Sequence, residues 1–301
     1  MAVYKKTYRP YEGALTGRVG RLWVIPRYAF EDLHRSRFLN TFFTASYIYP
    51  LICALIIYVQ HNISALGLLG VQQGARNLIA INVVFFMSVL GWQSMLALFM
   101  AAFIGPGLVS PDLANNALSL YLARPFSRVE YVLGKMSVLL ILMSLMTWVP
   151  GLLLFALEGY LEGPGWMSEH IRYASGMFFG AWMWILILAL LALALSAWVK
   201  WRLAAGGMMF GLFFVAAGFG AVINTVQRTS WGHLFNMSYL VGSVWIQLFE
   251  GSEHTTNGAV FFRVPEGQEL PLWCCYLALG ALCAMCLYML ARKVRGAEVV
   301  R

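Results

Sequence analysis

The segment 110–135 combines charged and polar side chains at short spacings, which makes it the part of the chain best suited to chemistry. Such side chains form charge-assisted hydrogen bonds to a partner of opposite charge. The segment lacks the paired carboxylates with a histidine that acid–base or metal-assisted group transfer needs. It therefore favours binding over catalysis. Its charged residues are Asp112, Arg124, Arg128, Glu130 and Lys135.

Nucleotide chemistry within this chain is not expected. A phosphate-binding loop has the pattern G-x-x-x-x-G-K-[ST], in which the backbone holds phosphate and the hydroxyl binds magnesium. Here Gly134 and Lys135 are followed by Met136, and the upstream glycine is missing. Any ATP and Mg²⁺ must be bound by another chain, so we predict that this chain is not an enzyme and holds no cofactor.

The histidines and cysteines do not have the spacing of a metal site. His61, His170, His233 and His254 lie in or near loops, close in sequence to acids such as Glu169, Glu250 and Glu253, but no two histidines are three or four residues apart. The five cysteines lie in apolar segments and are interpreted as small core residues. We predict no metal site.

The composition is that of a membrane protein, with 60% hydrophobic and 11% charged residues. Six apolar runs are each long enough to cross about 30 Å of hydrocarbon as a helix, and they lack the alternating polarity of barrel strands. We predict an all-α integral membrane protein. The runs are Leu39–Val59, Leu78–Ile104, Ser137–Leu157, Ser175–Val199, Leu203–Val226 and Leu272–Ala291.

No Asp, Glu, Lys, Arg or His lies within these six runs. Ion-coupled carriers and voltage sensors need such side chains at depth, so both functions are disfavoured. Polar residues in the runs, such as Gln93, Ser94 and Ser196, are expected to form hydrogen bonds between helices. Gly207 and Gly211 form G-x-x-x-G and predict close packing on another helix, in the same or in a second copy.

The distribution of basic residues predicts the orientation. With both termini in the cytoplasm, most basic residues lie on the inner side, as positive-inside bias requires. Only four of the 21 basic residues then lie in outer loops: Arg76, Arg172, Arg228 and Arg263. The predicted organisation is a cytoplasmic leader at 1–38, one transmembrane domain at 39–291 and a cytoplasmic tail at 292–301. Within the domain, 105–136 is an inner loop and 227–270 a large outer loop.

Two segments outside the spans are predicted to be helical. The stretch Leu234–Phe249 is too weakly apolar for a seventh span and is interpreted as a short re-entrant or interfacial helix. In the leader, apolar residues recur at helical spacing beside arginines, which predicts an amphipathic helix on the membrane surface, broken or kinked at Pro26. The apolar residues are Val19, Leu22, Trp23, Phe30 and Leu33.

The inner loop itself is predicted to contain a short helix. Ser110 or Asp112 would cap it, Leu113, Leu120 and Tyr121 would share an apolar face, and Arg124 with Pro125 would end it. A short helix with an apolar face that ends in basic residues fits a groove on another protein.

The loop resembles that of the membrane subunits of ABC-2 type ATP-binding-cassette transporters. The pattern near L-x-x-x-x-[AS]-R-P-[FIL]-S-R-x-E-Y-[VL]-x-G-K is matched by Leu118, Arg124, Pro125, Ser127, Arg128, Glu130, Tyr131, Gly134 and Lys135. The resemblance implies a coupling helix that inserts into a separate ATPase subunit. The residues that would carry this coupling are Asp112, Leu113, Leu120, Tyr121, Arg124, Pro125, Arg128, Glu130, Tyr131 and Lys135.

The resemblance also implies a transport subunit in the inner (cytoplasmic) membrane, paired with a second permease copy, identical or different, and more consistent with export than import. Two other functions stay open at this point. One is an intramembrane transferase-type enzyme, and the other is an ion-coupled secondary carrier. A nucleic-acid partner is not expected, because in a membrane protein the net charge of +8 reports orientation.

Overall fold

The structure is a computed structural model that describes residues 17–62, 80–115, 127–199, 201–249, 262, 264 and 269–293. All regular secondary structure in these ranges is helical, which confirms the all-α prediction. They include a π-helical turn, Gly211–Val215, and a 3-10 turn, Trp231–Phe235. In chain order the helices are α1 (Arg18–Arg35), α2 (Arg37–Ala45), α3 (Ile48–His61), α4 (Val83–Ile104), α5 (Pro106–Ala114), α6 (Arg128–Met146), α7 (Trp148–Glu162), α8 (Trp166–Glu169), α9 (Ile171–Trp198), α10 (Arg202–Phe210), α11 (Ala216–Gln227), α12 (Met237–Leu248) and α13 (Leu272–Lys293).

Six helical segments are long and apolar enough to cross a membrane, which confirms the predicted number for the described part of the chain. The shortest has 22 residues and is about 33 Å long at 1.5 Å per residue, enough for the hydrocarbon core. Each follows one predicted run and extends beyond it at one or both ends. The spans are Arg37–His61, Val83–Asp112, Arg128–Glu162, Ile171–Trp198, Arg202–Gln227 and Leu272–Lys293.

Two of the spans are interrupted where the apolar runs predict continuous helices. The first breaks at Ser46–Tyr47 and the third at Thr147, and in each the third residue of the following helix is a proline, Pro50 or Pro150. Proline has no backbone N–H and clashes with the carbonyl four residues earlier, so a regular helix cannot pass through it without loss. The carbonyl that Pro50 cannot bind is that of Ser46, and it accepts a 3.0 Å hydrogen bond from Nε2 of Gln93.

The fourth span, α9, is the centre of the bundle. Its apolar window is 72% buried, against 22% for the first span, 17% for the fifth and 28% for the sixth. The indole of Trp184 on α9 is fully buried and donates a 2.8 Å hydrogen bond to the Ser94 carbonyl on α4. The poorly buried spans therefore surround α9 and present their apolar faces outward.

The short helix expected within Leu234–Phe249 is present as α12. Its 12 residues extend about 18 Å and cannot cross the hydrocarbon. Most of its side chains are buried against α9 and α13, and Nε1 of Trp245 donates to the carbonyl of Gly180 at 3.1 Å. The tyrosine hydroxyl of Tyr239 accepts from the backbone N–H of Leu270 at 2.9 Å. This burial fits a re-entrant helix and not an interfacial one.

The leader forms the helix α1, as its periodicity predicts, and of the two outcomes expected at Pro26 a break is wrong. The helix runs without interruption from Arg18 to Arg35. Pro26 is buried, and the preceding Ile25 packs on Gly134 of α6, where an added Cβ would lie 3.2 Å from the Ile25 side chain. We attribute the continuous helix to this packing, which offsets the hydrogen bond that Pro26 removes.

Candidate functional site

The inner loop enters and leaves the bundle through two helix ends that are joined by an ion pair. Asp112 lies near the end of α5, and Tyr131 and Lys135 lie in the first two turns of α6. Nζ of Lys135 is 2.9 Å from Oδ2 of Asp112, and the hydroxyl of Tyr131 donates a 2.7 Å hydrogen bond to the same oxygen. We call these three residues the loop clamp.

The loop clamp is largely removed from solvent. The side chains of Lys135 and Asp112 are 12% and 17% exposed, and Tyr131 is fully buried. The ammonium of Lys135 also lies 5.8 Å from the centroid of the Tyr131 ring, within the range of a cation–π interaction. A buried charge that keeps its partner is tolerated, whereas one that loses its partner is strongly destabilising. The loop clamp therefore holds the two ends of the loop together.

A second local device fixes where α6 begins. The hydroxyl of Ser127 accepts from the backbone N–H of Glu130 at 3.2 Å, and the Glu130 carboxylate accepts from the backbone N–H of Ser127 at 2.7 Å. This is a capping box, which satisfies two N–H groups that the first turn leaves without helical partners. The S-x-x-E spacing of residues 127–130 is its sequence signal, and it was not used in the interpretation above.

The upstream end of the loop is attached to the central helix. The hydroxyl of Ser196 on α9 accepts from the backbone N–H of Ser110 at 2.9 Å and donates to the carbonyl of Pro106 at 2.9 Å. Gly105, just before α5, lies so close to α9 that an added Cβ would be 2.5 Å from that of Ala192. The interhelical hydrogen bonding expected of Ser196 is confirmed. A displacement of α5 would thus act directly on α9.

The structure places the predicted loop residues unevenly. It brings Asp112, Tyr131 and Lys135 together, leaves Arg128 exposed in the first turn of α6, and places Leu113 in the last turn of α5. Leu120, Tyr121, Arg124 and Pro125 lie outside the described residues.

The predicted capping by Ser110 or Asp112 is wrong. The helix that contains them begins at Pro106, so both residues lie inside it. Pro106 suits this position because the N–H groups of the first turn have no partner within the helix, so the N–H that proline lacks is not missed. Asp112 is then free of a capping role, and its carboxylate binds Tyr131 and Lys135.

A different polar cluster lies at the far end of the third span. His61, at the end of α3, meets Glu158 and Glu162, which are one turn apart on α7. Nε2 of His61 is 3.3 Å from Oε1 of Glu162 and 3.9 Å from Oε1 of Glu158. We call these residues the His–Glu cluster. The apolar runs contain no charge, but the helices extend past the runs and include these three residues.

Sequence reasoning did not find the His–Glu cluster. The acids considered beside the histidines were Glu169, Glu250 and Glu253, of which only Glu169 is described. The four-residue spacing of Glu158 and Glu162 places both on one helix face, but only the packing of α3 on α7 supplies His61. His170 and His233 are elsewhere, stacked on Trp166 and Tyr239 with ring centroids 4.5 Å and 4.2 Å apart.

The glycine pair of the fifth span packs on no described part of the chain. An added Cβ at Gly207 or Gly211 would have no described atom within 4 Å. The close approaches are made by neighbouring glycines instead: an added Cβ would lie 2.9 Å from the Ala102 carbonyl oxygen at Gly206, and it would overlap the backbone of Gly232 at Gly220. The faces with Gly207 and Gly211 are thus open to lipid or to another chain.

Comparison with known proteins identifies the family of the chain. No curated protein sequence matches the chain. The model of one family, described as ABC-2 family transporter protein, matches residues 29–246. The matched range takes in the loop clamp, the His–Glu cluster and the first five spans, and it covers more than two thirds of the 301 residues. The chain therefore belongs to the ABC-2 transporter family and is a multi-pass membrane permease.

Proposed function

We propose that this permease is driven by a separate ATPase subunit, which docks on the loop 105–136, and that it works as an exporter. The observation that carries the proposal is the loop clamp. It joins the two helix ends that flank the loop, and one of them, α5, is bonded to the central helix through Ser196. A push on the loop would therefore reach the core of the bundle as one movement.

ATP and Mg²⁺ are bound by the partner subunit in this proposal. The chain has no phosphate-binding loop, and its one Gly-Lys pair uses Lys135 in the loop clamp. A lysine held 2.9 Å from a carboxylate is not available to a phosphate. The proposal that Arg124 and Pro125 take part in docking rests on the family resemblance, because these residues match its R-P pattern.

The docking proposal is tested by co-expression with the cassette ATPase encoded beside the gene. We expect a complex that survives detergent, and we expect Arg124→Glu or Leu120→Asp to abolish it while membrane insertion is retained. Arg27→Glu is the matched control, because Arg27 lies in an exposed pair with Glu31, its side chain being 80% exposed. An intact complex with active transport in Arg124→Glu would contradict the proposal.

The direction and topology need separate measurements. Inside-out vesicles that accumulate substrate on addition of ATP would support export, and loss of substrate from them would contradict it. Reporter fusions at Gly258 and at the C-terminus are expected on opposite sides of the inner membrane, with the C-terminus in the cytoplasm. Both reporters on one side would contradict the proposed orientation.

We propose that a second permease copy packs on the fifth span. Its window is the least buried of the six at 17%, and its open glycines would let another helix approach closely. With the native cysteines replaced by alanine, Gly211→Cys is expected to cross-link two chains in the membrane. Leu277→Cys on α13 is the control, since Leu277 is 63% exposed on another span. Cross-linking only through Leu277→Cys would contradict the placement.

A further inference from the structure

The His–Glu cluster places three metal-ligating side chains at one point. One nitrogen from His61 and one oxygen each from Glu158 and Glu162 all lie within 4.8 Å of one another. The two acids come from α7 and the histidine from α3. The cluster is at the end of the bundle opposite the loop clamp, so the coupling proposed above does not use it.

The hydrogen bonds of His61 determine which ring nitrogen faces the acids. Nδ1 lies 3.0 Å from the carbonyl of Ile57. A carbonyl only accepts, so Nδ1 carries the hydrogen and donates. In the neutral ring, Nε2 then presents a lone pair to the carboxylates of Glu162 and Glu158. Three groups of lone pairs that face one another require a shared cation, which is a proton on Nε2 or on a carboxyl group, or a metal ion.

Glu158 distinguishes a proton from a metal ion. Its side chain is 3% exposed, and Oε2 has no hydrogen-bond partner among the described residues. A proton on Nε2 would bind Glu162 at 3.3 Å, but 3.9 Å is too long for a hydrogen bond to Glu158. The imidazolium alone would leave Oε2 of this buried carboxylate without a hydrogen bond from the described residues, which is costly. The buried Oε2 of Glu158 therefore points to a bound ligand, in addition to the convergence of the three side chains.

The spacing fits coordination by one ion. Ligand atoms about 2.1 Å from a tetrahedral metal are separated by about 3.4 Å. Nε2 of His61 and Oε1 of Glu162 are already 3.3 Å apart, and Glu158 is about half an ångström too far. The three ligand atoms lie within 4.8 Å of one another, so Glu158 would move closer to the other two when an ion binds. The Nδ1 donation to Ile57 is the outer hydrogen bond that a metal-ligating histidine characteristically makes.

The donor set selects the class of ion. An imidazole nitrogen favours zinc and other divalent transition metals over calcium and magnesium, which prefer oxygen ligands alone. The absence of a thiol ligand in the set disfavours Cu(I). We propose that His61, Glu158 and Glu162 form a three-ligand site for a divalent transition metal, for which Zn²⁺ is the best match. Glu162 is 48% exposed, so water can reach the fourth position.

The site would connect a peripheral helix to the bundle. The first span is only 22% buried, and its end at His61 would be tied through the metal to α7. This departs from the expectation, drawn from histidine spacing, that the chain has no metal site. The spacing could not reveal it because each ligand pair except Glu158–Glu162 is formed by tertiary contact.

The test uses the purified full-length protein, stripped with a chelator and titrated with Zn²⁺. We expect one Zn²⁺ per chain and a higher melting temperature when it is bound. Replacing a ligand, as in His61→Ala or Glu162→Gln, should weaken binding by more than the roughly 10- to 100-fold that loss of a supporting hydrogen bond costs. Co²⁺ in place of Zn²⁺ should give visible absorption that Glu162→Gln removes.

The controls and contrary outcomes are defined by the same residues. His170→Ala and Glu169→Gln change nearby residues of the same types outside the cluster and should leave binding unchanged. Because Glu162 is half exposed, Glu162→Gln should keep the fold, and its own melting curve without metal checks this. Absence of stoichiometric Zn²⁺ binding in the native protein, or unchanged binding in both His61→Ala and Glu162→Gln, would overturn the site and leave a histidine–carboxylate ion pair only.

Discussion

The loop clamp and the His–Glu cluster lie towards opposite ends of the same span, and each buries a carboxylate. Asp112 in the loop clamp receives a lysine ammonium and a tyrosine hydroxyl on one oxygen. Glu158 in the His–Glu cluster faces a second carboxylate and one imidazole, and its Oε2 has no partner in the part of the chain that the structure describes. A buried carboxylate that has a counter-ion and hydrogen-bond donors supports the local structure. A buried carboxylate that has too few of them indicates that a cation belongs beside it.

The largest effect is expected when the loop clamp is broken on one side. Lys135→Met keeps the length and apolar stem of the side chain but leaves Asp112 without its counter-ion. We expect the free energy of unfolding to fall by about 3 kcal/mol, as for other buried pairs that lose one partner. Unfolding of the permease in detergent measures this.

The matched control for that change is an exposed ion pair. Arg27 and Glu31 on α1 are 3.4 Å apart, and their side chains are 80% and 51% exposed. Arg27→Gln should change stability by less than about 1 kcal/mol. An equal effect of Lys135→Met and Arg27→Gln would show that burial does not set the strength of the loop clamp.

A smaller effect is expected from the hydroxyl of Tyr131. Tyr131→Phe keeps the buried ring and the cation–π contact but removes the hydrogen bond to the Asp112 carboxylate. Hydrogen bonds to charged groups contribute about 1.5–3 kcal/mol, and we expect a loss near the lower value because Lys135 remains. If the Tyr131→Phe protein is as stable as the native protein, the ion pair of Asp112 and Lys135 alone provides the stability of the loop clamp.

The His–Glu cluster should respond with the opposite sign when no metal is present. In chelator, Glu158→Gln removes a buried carboxylate that lacks a partner, so melting should occur at the same or a higher temperature, a gain of up to about 1 kcal/mol. With Zn²⁺ added, the native protein should become the more stable of the two. If Glu158→Gln in chelator destabilises the protein as much as Lys135→Met does, the carboxylate of Glu158 is as fully paired as that of Asp112.

The most local effect is expected at the capping box. Ser127→Ala removes the acceptor for the backbone N–H of Glu130, and cap substitutions of this kind typically cost about 1 kcal/mol. Ser127→Asp keeps an acceptor and is the control. If Ser127→Ala loosens the loop without lowering overall stability, faster amide hydrogen exchange confined to the first turn of α6 will report it.

The spans could be predicted because a membrane imposes a strong, local rule of about 20 apolar residues. The breaks near Ser46 and at Thr147 were not predicted, although Pro50 and Pro150 mark both in the sequence. Their apolar surroundings concealed them, since hydropathy does not register a missing N–H. Pro26 shows the converse, because packing of Ile25 on Gly134 supports a helix that the local rule would end.

The two sites differ in how much of each could be predicted from the sequence. All three residues of the loop clamp were identified, through the charge pattern and the family resemblance, but their mutual contact depends on the approach of α5 to α6. In the His–Glu cluster, His61 was placed in or near a loop and was not linked to Glu158 or Glu162. Their meeting depends on which helices pack together, and no spacing along the chain encodes that.

The central claim, that the loop clamp transmits ATP-driven movement from the loop to the bundle, is tested most directly by a double-mutant cycle. Asp112→Asn, Lys135→Met and the double variant would be reconstituted with the ATPase subunit, and permease-dependent ATP hydrolysis measured. We predict that each single change lowers it strongly and that the double change lowers it no further, because one pair is lost in every case. Independent, multiplying effects, or full activity in all three, would contradict the account.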